Sequence, residues 1–68
     1  MNKINIYCYP EMNKCEAIDE PANVICGTLK TDGKGDEISL EIIAGYKQAE
    51  ELIKDKLREK ARERKMIN

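Results

Sequence analysis

The sequence predicts an α+β domain: a three-stranded antiparallel sheet followed by one long C-terminal helix, in the order β-β-β-α. Two observations carry this reading. Apolar and polar residues alternate with a period of two in residues 3–9 and 37–43. From Gly45 onward the apolar period lengthens to three and four, the spacing of a helix.

The first strand is Lys-Ile-Asn-Ile-Tyr-Cys-Tyr at residues 3–9. Ile4, Ile6 and Cys8 take one face, and Asn5, Tyr7 and Tyr9 the other. Pro10 ends it, because proline has no N–H to donate to a ladder. Residues 10–22 are polar, hold two prolines and read as a long connection.

Residues 23–30 are rich in β-branched side chains and form the second strand. Thr31 to Asp36 is a turn signal, since Gly33 and Gly35 can take positive φ. The third strand follows, with Ile38, Leu40 and Ile42 on one face. A two-residue turn at Asp32-Gly33 or Gly33-Lys34 sets Ile25 and Leu29 beside them, whereas a three-residue turn at Gly33–Gly35 sets Val24, Cys26 and Thr28 there. The first register is expected, because it joins the larger apolar groups.

In the helix, Ala49, Ile53, Leu57 and Ala61 form an apolar row. Lys54, Arg58 and Arg62 form a basic row, and Glu51, Asp55, Glu59 and Glu63 an acidic one. A helix of this length spans roughly 30 Å and a strand of six or seven residues about 20 Å. The domain therefore divides into a sheet portion at 1–44 and a helix at 45–66, with 58–66 expected to protrude.

With 68 residues the chain makes one domain, 1–68. So short a chain buries only about 60% of its unfolded surface. Such a core rarely contributes more than roughly 3–5 kcal/mol net. A deep catalytic pocket is hard to build on that scale, so an enzyme is not expected. The net charge of −1 hides a division: residues 1–53 carry 5 basic and 10 acidic groups, and residues 54–68 carry 7 basic and 3 acidic. The two ends are suited to different surroundings. No apolar stretch approaches the ~20 residues of a membrane span, and no secretory leader is evident.

Cys8, Cys15 and Cys26 are odd in number and irregularly spaced. That is not a disulfide framework, and it suits a reducing cytoplasm. Cys8 and Cys26 are expected as small buried strand residues and Cys15 as a loop thiol. The gaps are too long for paired zinc ligands and the chain has no His, so no metal is expected. Asp32 to Glu37 is neither a calcium loop nor a phosphate loop, because Lys34 and Ile43 stand where calcium ligands are needed and no Gly-Lys-Ser/Thr occurs. No cofactor motif is present.

Two surfaces remain. Tyr7 and Tyr9 lie on the sheet face that one helix cannot cover, and tyrosine is favoured at binding hot spots. Arg58, Arg62 and Arg64 lie on the basic helix end. The function expected is a small non-enzymatic binding protein that occupies a partner protein's surface. A phage or mobile-element regulator or inhibitor of the anti-defence type suits the size and composition. The alternatives are a nucleic-acid-binding regulator using the basic helix end and a self-associating structural protein, for which a homodimer is the partner.

Overall fold

In the computed structural model, residues 3–20 and 22–67 are described, with side chains as far as Glu63. An antiparallel sheet is followed by a C-terminal helix, with four strands rather than three. The strands are β1 (Ile4–Tyr9), β2 (Lys14–Asp19), β3 (Val24–Thr31) and β4 (Glu37–Ile42), paired as neighbours in that order. The helix α1 spans Glu50–Ile67, entered through a 3₁₀ turn at Lys47–Ala49 rather than directly from Gly45.

The added strand is β2, inside the stretch 10–22 that reads as a connection. A 3₁₀ turn at Pro10–Met12 reverses the chain, and Asn13 completes it in the left-handed region at φ 54°. Its N–H donates to the Pro10 carbonyl. Asparagine tolerates this conformation better than most residues. β2 then pairs with β1 along its whole length, from Tyr9 opposite Lys14 to Ile4 opposite Asp19.

The β3–β4 register is fixed by Leu29 opposite Leu40 and Gly27 opposite Ile42. Leu29 thus joins the apolar face of β4, as the two-residue turn requires, but the turn itself is longer and occupies residues 32–36. Ile25 does not join that face. Ala17 pairs with Gly27 and Ile18 with Ile25, which leaves Cys26 as the extra residue of a bulge. The bulge brings Cys26 inside, fully buried, and leaves Ile25 41% exposed.

One face of the sheet is closed by the helix. Ile53 and Leu57 are fully buried against Cys15, Ala17, Cys26 and Leu29, with Ala49 and Ala61 packed at the margins. Burying each of the two large side chains contributes roughly 1.5–3 kcal/mol. The approach is close because the sheet is smooth beneath it. A Cβ on Gly27 would lie 2.9 Å from Ile53 Cγ2 and 3.3 Å from Leu57 Cδ1. Arg58 bonds to Glu37 on β4, and Ala61 packs on the core. The helix is therefore seated on the sheet as far as Ala61, a turn beyond the Arg58 at which the sequence reading begins the overhang.

Candidate functional site

Alternation and register together lay out the face that the helix leaves bare. Tyr7, Glu16, Thr28 and Glu41 form a row across all four strands. Tyr9, Lys14, Lys30 and Ser39 form the row beside it. Toward the other end Ile18 and Ile25 are cross-strand neighbours. Tyr7, Ile25 and Ile43 are each 41–44% exposed, whereas Val24, opposite Asp19, lies at the margin of the helix-covered face.

The tyrosines are oriented by polar partners. The Tyr7 hydroxyl donates to the Glu20 carboxylate just beyond β2. That bond, reinforced by desolvation and by the negative charge of Glu20, holds the phenol above its ordinary pKa. Tyr9 lies under the Lys14 ammonium, 5.8 Å from its ring centroid. Lys14 also reaches Glu16 at 3.4 Å. Such contacts restrain the rings before any partner arrives, which lowers the ordering cost of binding.

The basic residues do not converge with this face. Arg58 donates through Nε and Nη2 to both carboxylate oxygens of Glu37, at 3.0 and 3.1 Å. Arg62 is exposed and lines a cleft beside Glu37 and Arg58. The side chain of Arg64 lies outside the described residues. Lys54 pairs with Glu50 and Glu51, and Lys60 with Glu63. Lys54 and Lys60 are thus engaged within the helix itself, and Arg58 with the sheet. Lys14 and Lys30 are the basic residues that do flank a tyrosine. Lys14 is hidden from sequence reasoning because its strand reads as a loop.

Cys26 is the free buried strand residue expected, but Cys8 and Cys15 depart from the thiol reading. Cys8 and Cys15 form a disulfide, with Cα atoms 3.9 Å apart. They face each other across β1 and β2. The Glu20 N–H bond to the Lys3 carbonyl sets the alternation of the ladder and makes Cys8–Cys15 a non-hydrogen-bonded pair, the closer kind. Among the described residues no group of three or more His, Cys, Asp or Glu converges to hold a metal.

A third polar cluster lies at the opposite end of the helix-covered face. The buried Asp19 carboxylate accepts a bond of 2.9 Å from the Tyr46 hydroxyl. Burial, then the Asp19 charge, pushes the neighbouring Cys26 thiol up from its ordinary value. Cys26 Sγ donates to the Ala17 carbonyl at 3.4 Å. A buried thiol held protonated is a poor nucleophile, so this cluster ties the helix entry to β2 rather than offering chemistry. Comparison with protein-family models, curated proteins and solved structures finds no match to this chain. Among the described residues no helix is long and apolar enough to cross a membrane.

Proposed function

We propose that this chain is a small non-enzymatic binding protein, and that its outer sheet face occupies the surface of a partner protein. The observation that carries the reading is the uncovered face itself. Four strands are roofed on one side by a single helix. The other side offers half-exposed Tyr7, Ile25 and Ile43 beside fixed charges. Apolar patches edged by polar groups mark interaction surfaces, and a partially restrained tyrosine is a suitable anchor. A regulator or inhibitor, of the phage or mobile-element kind, is the class that the size suits. Cytoplasmic residence rests on the cysteine spacing, and the Cys8–Cys15 disulfide removes that support, since disulfides persist in oxidising settings.

A second reading is favoured by one arrangement, Tyr9 in a row with Lys14 and Lys30. An aromatic ring flanked by lysines can stack a base and hold its phosphate. Glu16 and Glu41 in the adjacent row oppose that use. Capture with the intact chain, with Tyr7→Ala/Tyr9→Ala and with Lys14→Glu/Lys30→Glu separates the two. A protein partner that survives nuclease and is lost only with the tyrosines supports the first reading. Nuclease-sensitive, salt-sensitive capture lost with the lysines supports the second and overturns the first.

A further inference from the structure

We propose that the Cys8–Cys15 disulfide is a thiol–disulfide exchange site, open to a small anionic thiol in the native fold. The bond lies on the helix-covered face, yet it is not sealed. A cleft of about 130 Å³ opens where the β1–β2 turn meets the β3–β4 turn. Cys8 and Cys15 line it, together with Asn13, Lys14, Lys34 and Ala61. Cys15 is 5% exposed and Cys8 more so, which makes the Cys8 sulfur the one a thiolate reaches first.

The cleft walls are held in place. Thr31 bonds through both its N–H and its hydroxyl to the Asn13 carbonyl, at 2.8 and 3.2 Å, and so joins the two turns. The Asp32 carboxylate, also in the wall, accepts the N–H groups of Lys34 and Asp36. The Lys14 ammonium is drawn to Tyr9 and Glu16 on the other face, and the Asp32 carboxylate is engaged by two backbone N–H groups, so the positive charge offered to the cleft is that of Lys34. A charged cleft raises the local concentration of the opposite sign, and developing thiolate is stabilised by nearby ammonium groups.

The exchange balances as follows. An incoming thiolate attacks Cys8 Sγ. The Cys8–Cys15 bond breaks, and its electron pair leaves on Cys15 Sγ. A second thiolate then attacks the external sulfur of the mixed disulfide and releases Cys8. Two external thiolates become one external disulfide, and the two protein thiolates take protons from water. Cys26 cannot enter the exchange. It is buried beside Ala17 and Gly27, further along the sheet, with no opening to the cleft.

This site is separate from the outer sheet face and does not depend on that face binding a partner. Its consequence is control of β1, the edge strand that carries Tyr7 and Tyr9, because the disulfide cross-links β1 to β2 beyond their connection through the Pro10–Met12 turn.

The test is the rate of disulfide reduction in the intact native chain, measured with anionic, neutral and cationic monothiols compared per unit of thiolate. The rate should rise in proportion to thiol concentration. It should favour the anionic thiol over the cationic one by up to about tenfold at low salt, the low end for a charged cleft. Lys34→Glu, on an exposed turn position, should remove that preference while the circular dichroism spectrum is unchanged. A rate independent of thiol concentration would show that exchange waits for unfolding and would overturn the proposal. Equal rates for the anionic and cationic thiols, or a preference that survives Lys34→Glu, would overturn it as well.

Discussion

The β1–β2 and β3–β4 hairpins lie side by side under the same helix, yet they are closed by different means. The β3–β4 hairpin is closed by its turn. Asp32 accepts two backbone N–H groups at 2.8 and 2.9 Å, and Gly35 takes φ 88°. The β1–β2 hairpin has a terse 3₁₀ turn and a covalent clip two positions below it, Cys8 to Cys15. One hairpin is written in local turn chemistry, and the other depends on a bond between residues that meet only after folding. Stability should follow that division.

The largest effect belongs to what the hairpins share. Ile53 is fully buried over Ala17 and Gly27, at the seam between them. Ile53→Ala should cost on the order of 2–5 kcal/mol, close to the whole net stability of a domain this small. Both hairpins should then be lost in one transition, read by urea unfolding with far-ultraviolet circular dichroism. Two separate transitions would mean that the hairpins are independent units and the helix is not their common roof.

Next comes the clip. Replacing both Cys8 and Cys15 by Ser removes a cross-link of sequence separation 7. Loop-closure entropy puts its contribution at about 2.5 kcal/mol. The urea midpoint should fall accordingly, and amide exchange should quicken in β1 before β4. An unchanged midpoint would show that Ile4 and Ile6 alone hold the edge strand.

The same contrast explains what was legible. β1, β4 and the helix carry clean periods, and Ile53 and Leu57 emerge as the core from spacing alone. β2 does not. Its inner residues are Cys15, Ala17 and Asp19, and its outer ones Lys14, Glu16 and Ile18. A buried carboxylate inside and an isoleucine outside blur the alternation, and Lys, Glu, Ala and Asp are poor strand formers. The small inner residues have a reason that appears only in three dimensions. Ala17 and Gly27 form a low lane on which Ile53 and Leu57 sit. The bulge at Cys26 was equally hidden, and it is why Ile25 faces outward. Of the candidate site, Tyr7 on the outer face was readable from parity. The lysines beside Tyr9 needed β2, and the pairing of Arg58 with Glu37 needed the helix crossing. The disulfide needed the hairpin register, since a spacing of seven residues says nothing until the two strands are placed.

The turn of the second hairpin should matter less than the clip of the first. Asp32→Ala removes two bonds from an exposed carboxylate to backbone N–H groups, an expected loss of about 1–2 kcal/mol. The two variants compared in the same urea titration give the ranking directly. A larger loss from Asp32→Ala than from removal of the disulfide would invert the comparison and make the turn the stronger closure.

The smallest effect is at the ion pairs, where the hairpins again differ. In the first, Lys14 meets Glu16 within one strand at 3.4 Å. In the second, Glu37 reaches out of the sheet and takes both donors of Arg58 on the helix. The bidentate geometry favours this pair, but its side chains are 46% and 40% exposed, so water and salt screen it. Glu37→Gln keeps the shape and removes the charge, and should cost no more than about 0.2–1 kcal/mol. Raising the salt should bring the unfolding midpoints of wild type and variant together, because only the wild type has this attraction to lose. A loss as large as that from the Cys8→Ser/Cys15→Ser variant, and unchanged by salt, would assign the Arg58 bridge a different role. The second hairpin would then be clipped to the helix as firmly as the first is clipped to itself, and closure by the turn alone would be wrong.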